Sequence, residues 1–201
     1  MPKTGKIIVI TGPMFAGKTT RLLKEIQKAR NGNKKAVLFK SGIDNRYSES
    51  EVVTHDGARL PAMILPDDER CIPVLRKAAE EYDIIGIDEG QFWDGTEGLA
   101  MELNKLASQS KSIYISMLNR KKDYELFGIG KEILACADQI YTLQSKCWKC
   151  GSKASFTQRI TPWPKSNRMA DFVGGAKDYQ PICRLCLTRL KEAEQQSGSD
   201  L

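Results

Sequence analysis

Residues 9–23 read VITGPMFAGKTTRLL: an apolar strand, a turn punctuated by glycines, and the opening of a helix. No other stretch limits the possible folds as strongly. Gly12, four residues, then Gly17-Lys18-Thr19 match the pattern G-x-x-x-x-G-K-[ST]. Glycines let backbone N–H groups curl around phosphate oxygens without Cβ clashes. The helix that follows turns its N-terminal N–H groups and positive dipole end toward the same anion. The loop Gly12, Pro13, Met14, Phe15, Ala16, Gly17, Lys18 and Thr19 would then cradle a nucleotide such as ATP. Lys18 would bridge its β- and γ-phosphates and Thr19 would offer a hydroxyl to Mg²⁺. A glycine-rich structural turn is the competing reading, and the strand-turn-helix setting favours the phosphate site.

The remaining chain repeats the same alternation. Residues 6–10 form a β-branched strand; Leu22, Leu23, Ile26 and Ala29 fall at helical spacing; NGN stops the helix; and KAVLFK (35–40) is a second strand. Such a βαβ unit implies a parallel sheet. Residues 41–61 read as a long polar connection without a period. A helix precedes Tyr82, although Pro73 leaves its start open. Strands are predicted at 83–88, 112–117 and, last, 139–143, with helices at 97–108 and 130–137. From Lys146 the periodicity fades and cysteines, prolines and tryptophans appear. The expected architecture is α/β: a P-loop parallel-sheet core (1–144), a small C-terminal zinc-binding lobe (145–190), and a polar tail (191–201), helical at first.

A chain of 201 residues that is 41% hydrophobic and 28% charged has the composition of a soluble globular protein. It shows neither a signal-peptide pattern nor the ~20-residue apolar run of a membrane span, so a soluble, cytoplasmic protein is expected. The net charge of +6 suits an anionic ligand, and equally a weak nucleic-acid contact.

IIGIDEGQF (84–92) ends a strand on Asp88-Glu89. Neighbouring strand side chains point to opposite faces, but where the chain turns at a C-terminal strand edge both can reach the ligand crevice. One carboxylate would serve Mg²⁺ and the other would take a proton from an attacking hydroxyl or orient a water. Spacing does not say which is which, and a solvated strand end is the plainer alternative. Cys147-x-x-Cys150 and Cys183-x-x-Cys186 are two knuckles 32 residues apart. Four thiolates make a closed tetrahedral Zn²⁺ site of structural type; two disulfides or a redox pair are the alternatives. Cys71 and Cys136 lack such partners and read as small buried hydrophobes. Between the knuckles, Gly174-Gly175 permits a close backbone approach. Tyr179 and Phe156 offer aromatic faces suited to a flat base or to packing.

In this order and spacing, the motifs resemble the thymidine kinases of the cytosolic, zinc-containing type. The resemblance runs from about residue 6 to about 186 and rests on GPMFAGKT, DIIGIDEGQF, DNRYS (44–48), THDG (54–57), FTQR (156–159), VGGAKDY (173–179) and CRLC (183–186). It implies transfer of the γ-phosphate of ATP, with Mg²⁺, to the 5′-hydroxyl of thymidine or deoxyuridine. Thr19 and Asp88 would serve Mg²⁺, Glu89 would be the catalytic base, and Met14, Phe92, Leu118, Phe127, Thr157, Gly174 and Tyr179 would surround the nucleoside. Arg46 or Arg159 would assist transition-state charge. The family's homotetramer, and a lobe that holds a base-clamping lasso, come with the resemblance.

One stretch departs from the family. Where members read L-[DN]-x-x-F-[RQ], this chain has Leu118-Asn119-Arg120-Lys121-Lys122-Asp123, with Lys122 in place of the aromatic. Losing that wall costs about 1–3 kcal/mol of nucleoside binding or calls for a substitute such as Tyr124. Alternatively, Lys122 faces a polar substituent, which makes a kinase for a 5-modified pyrimidine the second expectation. The third is a nucleotide- and nucleic-acid-binding protein without catalysis, against which the retained Lys18, Thr19, Asp88 and Glu89 argue.

Overall fold

The computed structural model describes residues 4–44, 50–54, 56–121, 125–162 and 173–198. Six strands form one parallel sheet in the order β5 (Met63–Leu65), β2 (Ala36–Ser41), β6 (Ile84–Ile87), β7 (Ser112–Leu118), β1 (Ile7–Gly12), β8 (Gln139–Thr142). Strands β1, β2 and β6 are apolar nearly throughout because helices cover both faces of the sheet. On one face, Ile7, Val9, Phe39 and Ile85 pack against Leu75 of α2 (Cys71–Glu81) and Leu103 of α3 (Leu99–Ser108). On the other, Ile10, Leu38 and Ile84 pack against Leu22, Leu23 and Ile26 of α1 (Lys18–Asn31). Strand alternation sorts consecutive apolar residues between the two faces.

Gly86 sits where α1 lies closest to β6. A Cβ there would lie 2.8 Å from Ile26 Cδ1 and 2.9 Å from Leu38 Cδ1. Gly86→Val is therefore expected to cost about 1–3 kcal/mol by overpacking. Thermal unfolding would show this as a lower Tm, at about 2–4 °C per kcal/mol for a chain of this size.

Two expectations need correction. Residues 41–61 are not a bare connection: β3 (Glu51–Val53) and β4 (Arg59–Pro61) pair antiparallel, and β5 follows directly as a parallel edge strand. Strands of three residues are too short to carry a period, and in β5 Met63 and Ile64 stay exposed. Nor is 139–143 the last strand. After it come β9 (Ser145–Lys146) with β10 (Lys153–Ala154), and β11 (Phe156–Arg159) with β12 (Tyr179–Ile182), as two antiparallel pairs. Helix α5 (Arg184–Gly198) follows.

Pro73 falls in the first turn of α2, where its missing N–H costs no helical hydrogen bond. The helix expected at 130 begins earlier, as α4 (Gly128–Ala135), because Asp94 accepts the Ile129 N–H at 2.9 Å and caps it from a distant segment. Cys71 is fully buried, and burial pushes its thiol up to about 12, so it packs as an inert hydrophobe. Among the described residues, no helix is long and apolar enough to cross a membrane.

Candidate active site

Strand β7 lies between β1 and β6, so the glycine loop and Asp88-Glu89 leave the same sheet edge one strand apart. Open α/β sheets bind ligands at this carboxyl edge. Gly17 joins loop to helix in the left-handed region (φ 79°, ψ 24°), which favours glycine. The Lys18 side chain is buried and folds back over the loop, its Nζ donating to the Pro13 carbonyl at 2.8 Å. The ammonium and the N-terminus of α1 thus converge on the space enclosed by residues 12–19.

Glu89 is also left-handed (φ 55°, ψ 47°), an uncommon and strained conformation for a residue with a side chain. This kink ends β6 and brings Asp88 and Glu89 to one cavity of about 110 Å³, with Lys18, Thr19, Lys40 and Asp44 among its lining. Asp88 is only 5% exposed. Thr19 Oγ1 donates to its Oδ1 at 3.2 Å, and the Ser116 hydroxyl, from β7, donates to the same oxygen. Burial pushes Asp88 up to about 7, the neighbouring Glu89 and Asp44 charges add to this, and the Ser116 and Thr19 hydrogen bonds oppose it. A buried carboxylate with further carboxylates close by, beside a threonine hydroxyl, is a donor set for a hard divalent cation such as Mg²⁺. Glu89 is less buried and also lines the cavity, and a carboxylate in such a place can exchange a proton with a bound hydroxyl.

The cysteine-rich lobe docks onto the phosphate loop. Thr157 Oγ1 accepts the Met14 N–H at 2.9 Å, and Ser145 Oγ donates to the Phe15 carbonyl at 3.1 Å. Asn119 Nδ2 donates to the Ser155 carbonyl at 2.9 Å, tying the end of β7 to the same lobe. Phe92 and Phe127 are buried in the larger core cluster, with Leu118 and Val173 packed at its margin. Gly174 approaches Tyr179 so closely that a Cβ would lie 2.9 Å from the ring's Cε2. Arg159 Nη1 donates to the Tyr179 hydroxyl at 2.6 Å and its Nε to the Pro162 carbonyl, so its guanidinium is engaged within the lobe. Phe156 lies in the lobe's core, flanked by the guanidinium groups of Arg120 and Arg184 at 4.7 and 4.8 Å. It is a packing residue, not a surface for a base. Arg46, Lys122 and Tyr124 lie outside the described residues.

Cys147, Cys150, Cys183 and Cys186 bring their sulfurs within 4.8 Å of one another. Tetrahedral zinc with Zn–S near 2.3 Å requires sulfurs roughly 3.8 Å apart, and Cys150 and Cys183 are at 3.7 Å. All four are free thiols. Hydrogen bonds from Ser152 lower Cys150 to about 6, whereas the bond with Cys150 and then burial push Cys186 up to about 12. Four thiols so crowded ionise together only around a cation. The cluster can hold a metal ion.

The sequence profile described as thymidine kinase matches residues 5–187, which span both the phosphate loop and this cluster. The chain belongs to the thymidine kinase family. It is 40% identical over 185 residues to the thymidine kinase of Thermococcus kodakarensis, covering 90% of this chain and 92% of that one. It is 39% identical over 183 residues to the thymidine kinase of Oryza sativa subsp. japonica, covering 90% and 65%. With that of Pyrobaculum aerophilum it shares 34% identity over 181 residues, covering 89% and 96%.

Three residues of this thymidine kinase family site carried no expectation from sequence. Ser116 binds Asp88, Gln91 binds Glu89, and Lys40 is a buried lysine on the cavity wall. Each leaves a faint trace: a serine inside the apolar run SIYISML, a glutamine between glycine and two aromatics, and a lysine closing AVLFK. A polar residue where a buried element wants an apolar one signals a partner across the sheet.

Proposed function

We propose that the protein transfers the γ-phosphate of ATP to the 5′-hydroxyl of thymidine or deoxyuridine, giving the 5′-monophosphate and ADP. One observation carries the reading: Lys18, Thr19, Asp88 and Glu89 line a single cavity at the N-terminus of α1. A binder needs the loop but not a proton acceptor beside it.

In this reading Gly12–Thr19 wrap the triphosphate, and Lys18 leaves the Pro13 carbonyl to meet its β- and γ-oxygens. Thr19 and Asp88 hold Mg²⁺, which neutralises phosphate charge when bound. Glu89 takes the proton from the 5′-hydroxyl as that oxygen attacks the γ-phosphorus and the bond to the β-phosphate oxygen breaks. Met14, Phe92, Leu118, Phe127 and Thr157 surround the nucleoside, and Gly174 and Tyr179 clamp its base. The four cysteines bind structural Zn²⁺, and the lobe around them, 145–190, acts as a unit beside the core of 1–144 and the tail of 191–201. A cytoplasmic homotetramer is the assembly this reading carries.

The test is ATP- and Mg²⁺-dependent phosphorylation of a panel: thymidine, deoxyuridine, 5-substituted deoxyuridines, deoxycytidine and purine deoxynucleosides. Thymidine or deoxyuridine is expected to dominate. Preference for a polar 5-substituent would make Lys122 the reader of the base, and silence across the panel with ATP still bound would overturn the kinase reading.

A further inference from the structure

We propose that Gln91 is a positioning residue that aims the Glu89 carboxylate and couples it to the end of β7, where the nucleoside wall begins. The inference rests on the reading of Glu89 as the base.

Gln91 is 2% exposed, yet its side-chain amide is used at both ends. Nε2 donates to Glu89 Oε2 at 2.6 Å, and Oε1 accepts the Leu118 N–H at 3.0 Å. The two partners fix its orientation: a carboxylate cannot donate and an N–H cannot accept, so a flipped amide would break both bonds. A bond to an ionised carboxylate is also stronger than a neutral one. Gln91 itself stands on a braced 3₁₀ turn, Gly90–Trp93. There the Phe92 N–H returns to the Glu89 carbonyl at 3.0 Å and Trp93 Nε1 donates to the Pro66 carbonyl at 2.6 Å.

Glu89 extends from a one-residue left-handed kink. Gln91 holds its carboxylate by a short bond from a side chain that is itself fixed at its other end. The other end of the amide holds the last residue of β7, and Asn119 beyond it donates its N–H to the Gly12 carbonyl at 3.3 Å. A shift of the β7 end when the nucleoside seats therefore reaches the base through one side chain. An apolar residue of equal volume would fill the site but carry no such coupling.

The experiment compares Gln91→Met, Glu89→Gln and the double variant by steady-state kinetics, with ATP binding measured on the same preparations. Misplacing a reacting group by about 1 Å costs on the order of 100-fold, so Gln91→Met is expected to lose about that in kcat. Its KM for nucleoside and Kd for ATP should move less than about threefold. Because Gln91 acts through Glu89, the double variant should be no slower than Glu89→Gln alone. Losses that multiply in the double variant, a loss confined to KM, or near-normal kcat in Gln91→Met would overturn the proposal. Near-normal kcat in Glu89→Gln would instead overturn the reading of Glu89 itself. Should Gln91→Met fold poorly, Gln91→Asn, polar but too short to span both partners, is read by the same criteria.

Discussion

Replacing Glu89 with Gln is expected to lower kcat by about 10²–10⁴-fold while fold and ATP affinity persist. That loss corresponds to about 3–5 kcal/mol of transition-state stabilisation. The substitution is nearly isosteric, and the amide oxygen can still accept from Gln91 Nε2, so the side chain should keep its place. The phosphate loop, Lys18 and Thr19 lie on other elements, and Asp88, though adjacent, is held by its own bonds to Thr19 and Ser116, so their geometry should persist. Only basicity is removed. Removing a negative charge from beside Asp88 should, if anything, ease nucleotide binding, because the Glu89 charge is one of the causes that raise the Asp88 carboxyl. Turnover of thymidine and calorimetric ATP binding on one preparation separate the two effects. An unchanged kcat would move the proton acceptor elsewhere.

The parts of this protein that were readable in its sequence are those whose physics is local. Gly17 must be left-handed where a strand hands over to a helix across a phosphate loop, and GPMFAGKT announces it. The long apolar strands could be read because both faces of the sheet are covered. Strands β3 and β4 could not, since three residues hold no period and their pairing depends on the opposite strand. The same limit hid β9–β12, whose order depends on where four cysteines meet rather than on local propensity. Within the site, Asp88 and Glu89 stood out as a charged pair, whereas Ser116 bonds to Asp88, 28 residues away, and Gln91 bridges its near neighbour Glu89 to Leu118, 27 residues away. The bonds of Ser116 and Leu118 reach from β7 to the segment that follows β6, a relation that no single stretch of chain encodes.

Chelating the zinc proposed for the cysteine cluster, or making Cys183→Ser, is expected to unfold the lobe and to weaken ATP binding as well. Among the described residues, the lobe's own core consists of Cys147, Ala154, Phe156, Ile182, Cys183 and Leu187, two of which belong to the four-cysteine cluster. Its strands run two to four residues. A core that small does not hold itself together, whereas structural zinc contributes on the order of 10–16 kcal/mol. The sheet has two larger clusters of its own and should survive. The phosphate loop, however, borrows from the lobe: Met14 N–H to Thr157 Oγ1 and Ser145 Oγ to the Phe15 carbonyl. Two such bonds at about 0.5–1.5 kcal/mol each amount to roughly 1–3 kcal/mol, or about 5- to 150-fold in ATP affinity. Hydrogen exchange across 145–190 and ATP calorimetry, before and after chelation, read both halves of the expectation. Lost protection in the lobe with unchanged ATP affinity would detach the lobe from the phosphate loop and leave it serving the nucleoside alone. Retained protection without metal would mean that the thiols, and not the ion, hold the lobe together.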